Sequence, residues 1–69
     1  MHKYFVPKEH NGKSLYYIIQ HMGREKEFEW NPYAYIVSLD DSIIPQNFMQ
    51  RTFVSEGQIV RILPVTTGG

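Results

Sequence analysis

The residues best suited to chemistry are the last four of the sequence, Thr66, Thr67, Gly68 and Gly69. Glycines lack Cβ atoms, so such a segment can lie extended in the narrow active-site channel of another protein. A carboxylate presented there is a substrate for activation by ATP, since it is a poor electrophile until its oxygen becomes a good leaving group. We therefore expect residues 66–69 to form a flexible tail behind a folded domain of residues 1–65.

Size and composition limit what the domain can do alone. The chain has 69 residues, of which 42% are hydrophobic, so it predicts one small folded domain. A chain of this length buries only about 60% of its unfolded surface, which leaves little room for a deep pocket. We expect a module that works with partners rather than an autonomous enzyme.

Charge and cysteine content exclude further classes. Seven Lys and Arg residues balance seven Asp and Glu residues, so the basic excess typical of nucleic-acid binders is missing. The chain has no cysteine, which excludes disulfides and thiolate zinc sites. The first five residues carry no long apolar run, so we expect no membrane segment and a cytoplasmic location.

The second half of the sequence predicts strands. Residues 33–39 are rich in β-branched and aromatic side chains, Asp40-Asp41 suits a turn rather than a catalytic carboxylate pair, and residues 42–44 suit a short return arm. Pro45 then suits the start of a one-turn helix that holds Phe48 and Met49. After a turn at residues 55–57, residues 58–65 form the last strand, which is apolar on both faces apart from Arg61. Such a strand is typical of the interior of a sheet.

The first half predicts a short strand at residues 4–6 and then a helix. Ser14 suits the N-cap and Gly23 the C′ position. The helix has one apolar stripe, made of Leu15, Ile18, Ile19 and Met22. A competing interpretation makes Asn11-Gly12 a hairpin turn and residues 15–19 a strand, but the stop signals at both ends favour the helix. Residues 25–30 predict an extended arm with a solvated glutamate face and with Trp30 in the core.

These elements resemble the sulfur-carrier proteins of the ubiquitin-like β-grasp superfamily. The sequence looks most like the ThiS type of thiamine biosynthesis and next like the MoaD type, the small subunit of molybdopterin synthase. The resemblance is carried by the helix stripe and by later segments, namely Ile43-Ile44-Pro45 with Phe48, Glu56-Gly57 before Ile59-Val60, and Pro64-Val65-Thr66-Thr67-Gly68-Gly69.

The resemblance implies an α+β β-grasp fold, with a small mixed sheet wrapped on one helix. Members of the family usually have a longer N-terminal hairpin before the helix, and few residues precede the helix here, so we expect one strand of that hairpin to be shortened or missing. The resemblance also implies that a ThiF/MoeB-type adenylyltransferase converts the Gly69 carboxylate to an acyl-adenylate, and that sulfur then displaces AMP to leave a thiocarboxylate. A sulfur-accepting synthase, such as a thiazole synthase, would receive the sulfur. The carrier would bind no cofactor itself, the ATP being used by its partner, and it would not be an enzyme.

Site residues follow from the same resemblance. Gly69 would bear the sulfur, Gly68 would let the tail fit, and Thr66 and Thr67 would contact the partner's channel. An apolar patch would dock the activating enzyme, and its residues are Phe5, Ile43 and Leu63. For any single one of these three, a place in the core is the favoured interpretation.

Other polar residues are weaker candidates. Arg61 suits either an acidic group on a partner or a surface position with a buried stem. The three histidines, His2, His10 and His21, lack i,i+4 or carboxylate companion spacing, so we expect exposed or capping roles rather than metal ligation.

Two further functions stay open. A ubiquitin-like modifier would use the same tail chemistry and attach Gly69 to lysines of target proteins. A plain β-grasp interaction module would make the two glycines incidental. Within the carrier hypothesis, the pathway that accepts the sulfur is open as well.

Overall fold

A computed structural model describes residues 2–65 of the chain. Its regular elements are β1 (His2–Phe5), α1 (Leu15–Lys26), β2 (Tyr35–Leu39), β3 (Ser42–Ile43) and β4 (Ile59–Pro64). Two 3-10 turns, Lys8–His10 and Gln46–Phe48, precede α1 and follow β3. The fold is therefore α+β, with one helix and a four-stranded antiparallel sheet. Over residues 2–65, no helix has the length and apolarity needed to cross a membrane.

The sheet has the strand order β1-β4-β2-β3, so β4 is interior, as its apolar faces predicted. All three strand pairs in the described residues are antiparallel, and the predicted mixed sheet is wrong there. Here the single strand β1 precedes α1. Its last residue, Phe5, pairs with Ile59 at the start of β4, so the two strands run in opposite directions.

Helix α1 confirms the predicted cap and apolar stripe. The Ser14 hydroxyl accepts a hydrogen bond from the Tyr17 amide at 3.1 Å, which satisfies one free donor of the first turn. The four stripe residues are fully buried, and they are Leu15, Ile18, Ile19 and Met22. The alternative strand at residues 15–19 is excluded.

The predicted end of the helix at Gly23 is wrong. Helix α1 continues to Lys26, and Glu27 in a left-handed conformation (φ 56°) caps it by donating its amide to the Gly23 carbonyl. Gly23 instead allows a close approach, because a Cβ there would lie 3.1 Å from the Phe28 carbonyl oxygen. The predicted extended arm is accordingly wrong at residues 25 and 26, which are helical.

The core lies between α1 and one face of the sheet. Its sheet side is formed by Val37 and Leu39 of β2 and by Val60 and Ile62 of β4, all buried. Met49, which follows the second 3-10 turn, closes the core at 1% exposure, whereas Phe48 is about half exposed. The opposite face of the sheet has no helix over it in the described residues.

Candidate docking face of the sheet

The face of the sheet turned away from α1 is the candidate functional surface, and we call it the open face. Side chains alternate along a strand, so the buried pair Val60 and Ile62 places their β4 neighbours on the opposite side. The strand register then aligns partners across the sheet. The open face consists of Lys3, Phe5, Ile36, Ser38, Ile43, Ile59, Arg61 and Leu63.

The three residues predicted to form an apolar patch all lie on the open face. Phe5 is 60% exposed and Ile43 is 67% exposed, so the favoured interpretation of a core position is wrong for both. They stand on the outer strands β1 and β3, which are about 14 Å apart, given three strand spacings. Leu63, on the interior strand β4, is half-buried. It is four residues from Ile59, the register partner of Phe5, so Arg61 lies between Leu63 and the Phe5 end of the face. Docking of a partner at this patch stays a prediction.

A polar row crosses the middle of the open face. The Arg61 guanidinium donates to the Asp41 carboxylate at 2.5 Å, so the acidic partner of Arg61 lies in its own chain. Beside Arg61 in the register are Lys3 on one side and the buried Ser38 on the other. The Lys3 ammonium lies 5.0 Å from the centre of the Phe5 ring. Two cations against one carboxylate leave the row positively charged.

The predicted tail residues Thr66, Thr67, Gly68 and Gly69 lie outside the described residues. The chain is tied to the sheet up to the residue before them. Pro64 is paired with Tyr35 in the register of β2 and β4, and the Val65 amide donates to the Ala34 carbonyl at 2.9 Å. The four residues therefore follow one residue after β4, whose last two residues are paired with β2.

The carboxylates of the β2–β3 turn have structural partners. Asp40 and Asp41 both have positive φ, at 49° and 69°, which is the geometry of a tight hairpin turn and confirms the prediction. The Asp40 carboxylate accepts hydrogen bonds from the Ile59 amide at 2.8 Å and the Gln58 amide group at 3.1 Å. Since Asp41 binds Arg61, each carboxylate has a separate partner.

Sequence reasoning missed a cluster of aromatic and imidazole rings. The Tyr4 hydroxyl is 2.8 Å from Nδ1 of His10, and the ring centres of His10 and His21 are 4.7 Å apart in an edge-to-face arrangement. All three histidines of the chain are half-buried, so the expected exposed positions are wrong. His21 also has a carboxylate companion, as its Nε2 lies 3.8 Å from Glu25. That i,i+4 spacing was readable in the sequence and was overlooked.

The environment of the cluster keeps the Tyr4 hydroxyl protonated. Burial raises the pKa of Tyr4 above its usual value of 10.0, and the negative charges of Glu9 and Glu25 raise it further. A protonated hydroxyl can donate to Nδ1 of His10. Within residues 2–65, no three His, Cys, Asp or Glu side chains are placed to hold a metal ion.

Comparisons with models of known protein families, with curated proteins and with solved structures found no match. The features of this chain that bear on its function are therefore the open face, the interior strand β4 and the sequence that follows that strand.

Proposed function

We propose that this protein is a sulfur carrier on a β-grasp-like fold, whose Gly69 carboxylate is adenylated and converted to a thiocarboxylate. The observation that carries the proposal is the position of β4. This interior strand leads from the centre of the sheet through Val65 to Thr66-Thr67-Gly68-Gly69. The proposal requires that Gly69 carry the terminal carboxylate of the working protein.

The arrangement of helix and sheet supports the β-grasp part of the proposal. One helix packs on one face, and the last strand lies between the first strand and the β2–β3 hairpin. The superfamily usually has a hairpin before its helix, whereas the described residues have one strand there. We propose that this fold is a shortened variant, in which the remaining strand runs antiparallel to the last.

In this proposal the partner enzymes carry out the chemical steps, and the carrier supplies the reacting carboxylate and a docking surface. The carboxylate oxygen of Gly69 attacks the α-phosphate of ATP in the active site of a ThiF/MoeB-type adenylyltransferase, and pyrophosphate leaves. Sulfide then attacks the acyl carbon and AMP leaves, which yields the thiocarboxylate. The carrier contributes its open face for docking, because Phe5, Ile43 and Leu63 present apolar surface around the positive polar row. A sulfur-accepting synthase would be the second partner.

The direct test is the intact mass of the protein. The mass of the chain isolated from its native cells first establishes whether Gly69 is the terminus. The purified chain is then incubated with its activating enzyme, ATP and sulfide, beside a variant that lacks Gly69. We expect one oxygen-for-sulfur exchange in the full chain and none in the variant. An unchanged mass, with an activating enzyme that works on another carrier, would contradict the proposal.

Docking through the open face is tested separately. Ile43→Asp places a charge on the patch and should slow thiocarboxylate formation at low carrier concentration. Tyr33→Asp is the matched control, because Tyr33 is 90% exposed and lies outside the sheet strands. Equal rates of thiocarboxylate formation for the two variants would contradict docking through the open face. The proposed chemistry at Gly69 would not be affected by that result.

A further inference from the structure

An open cavity of about 580 Å³ lies beside Trp30, on a part of the surface that the carrier proposal does not use. This volume is within the usual range for small-molecule sites. The cavity is lined by Tyr16, Trp30, Gln46, Asn47, Met49, Gln50 and Arg51.

The walls of the cavity come from three segments that are held together. Tyr16 belongs to α1, Trp30 to the irregular segment before β2, and the other lining residues to the second 3-10 turn and the residues after it. The Tyr16 amide donates to the Met49 carbonyl at 3.2 Å, which ties α1 to that turn. Trp30 stacks on Tyr35 with ring centres 6.0 Å apart, and this contact helps to fix the orientation of the Trp30 ring. The cavity is therefore a feature of the fold.

The polar side chains of the cavity have no partners among the described residues. The sequence has seven Asn and Gln residues, and three of them make side-chain hydrogen bonds in the fold, namely Asn11, Asn31 and Gln58. Of the four without such a bond in residues 2–65, three line this cavity, and they are Gln46, Asn47 and Gln50. All three are exposed, so their amide groups are hydrated in the free protein and are accessible to a ligand in the cavity.

The charge of the cavity is positive. Arg51 is exposed and has no carboxylate within salt-bridge distance among residues 2–65, whereas Arg61 is paired. No acidic residue lines the cavity. A guanidinium without an acid nearby favours a phosphate, which it can bind through two parallel hydrogen bonds.

We propose that this cavity binds a nucleoside monophosphate. The base would stack on the rings of Trp30 and Tyr16, since every base has a π face. The amide groups, which both donate and accept, would bond the edges of the base and the ribose. Arg51 would bind the phosphate. A long nucleic acid is disfavoured, because the chain has no basic excess to neutralise a phosphate backbone.

The single tryptophan of the chain, Trp30, reports on binding in the cavities that it lines, and the substitutions described below distinguish this cavity from its neighbours. AMP, GMP, CMP and UMP are titrated into the full chain while Trp30 fluorescence is followed, with the four nucleosides and inorganic phosphate as separate arms. We expect a saturable change with at least one monophosphate, weaker binding of its nucleoside and no change with phosphate alone. No saturable change with any monophosphate, or an equal change with inorganic phosphate, would overturn the proposal.

Substitution of Arg51 tests whether its guanidinium binds the phosphate of the nucleoside monophosphate. Arg51→Gln should weaken binding of the monophosphate about tenfold or more and leave the nucleoside unaffected. Arg24→Gln is the comparison, since Arg24 is an exposed arginine that lines a neighbouring cavity also bounded by Trp30, and its loss should leave the affinity unchanged. Circular dichroism of both variants verifies the fold. Equal affinity of Arg51→Gln and wild type would reject Arg51 as the phosphate ligand and with it the proposal, independently of the carrier role.

Discussion

Asp40 and Ile59 form two reciprocal hydrogen bonds that join the β2–β3 turn to the start of β4. The Asp40 amide donates to the Ile59 carbonyl at 2.9 Å, and the Asp40 carboxylate accepts from the Ile59 amide at 2.8 Å. Gln58 adds a third bond from its amide group to the same carboxylate. A turn residue thereby fixes where the interior strand begins.

Loss of the Asp40 carboxylate should destabilise the fold. Asp40→Ala leaves the Ile59 amide and the Gln58 side chain without their acceptor, and we expect a loss of about 1–3 kcal/mol in the free energy of unfolding. Urea denaturation measures it. Asp41→Ala is the control, because its surface pair with Arg61 should contribute at most about 1 kcal/mol. Equal losses in the two variants would contradict the role given to Asp40.

The helix cap gives a second prediction. Ser14→Ala removes the acceptor for the Tyr17 amide, and we expect the free energy of unfolding to fall by about 1 kcal/mol. Ser55→Ala is a matched control, since the Ser55 hydroxyl makes no hydrogen bond within residues 2–65. Thermal denaturation of both proteins compares them. A loss at Ser55 as large as that at Ser14 would argue against the cap.

Gly23 should gain little from a side chain. In an exposed helix interior, Gly→Ala stabilises by about 1 kcal/mol. Gly23→Ala would place its Cβ 3.1 Å from the Phe28 carbonyl oxygen, so part of this gain is lost as the Phe28 segment shifts. We expect a gain below about 1 kcal/mol together with a change in the NMR shift of the Phe28 amide. The full gain with an unchanged Phe28 amide would refute the contact.

His2 should make stability depend on pH. Burial lowers the pKa of His2 below its ordinary value of 6.5, and nearby positive charge, including Lys26, lowers it further. The imidazole stacks on Phe28 with ring centres 4.4 Å apart. Below pH 6.5 the unfolded chain therefore binds a proton that the folded chain resists, so stability falls as pH falls from 6.5 to the lowered value.

The measurement is the free energy of unfolding in urea between about pH 7.5 and 5. His2→Gln removes this titration and should give a shallower slope, although its stability at the higher pH also drops with the lost stacking. If His2→Gln kept the wild-type slope, the lowered pKa of His2 would be refuted.

Local patterns predicted much of the fold. The apolar stripe and Ser14 located the start of α1, and the two aspartates located the β2–β3 turn, because these signals depend on neighbours in the sequence. The apolar faces of residues 58–65 predicted an interior strand for the same reason. Phe5, Ile43 and Leu63 share one face of the sheet, whereas docking of a partner there stays a prediction.

Features that depend on distant contacts were not predictable in this way. Helix α1 also continues past Gly23 to Lys26, although a glycine is commonly found just after a helix, and Glu27 takes the left-handed cap instead. The ring cluster combines Tyr4, His10 and His21 from β1, the first 3-10 turn and α1, and no spacing along the chain reports that arrangement.

The ion pair of Arg61 and Asp41 has a consequence for selectivity. A partner with a wholly nonpolar surface would desolvate both charges on binding to the open face. The cost of that desolvation would offset much of the free energy gained by burying apolar area. Two copies of the chain meeting face to face would bury two such pairs at once. The ion pair therefore disfavours self-association and nonspecific hydrophobic binding. It favours a partner that places a polar group against Arg61 and Asp41.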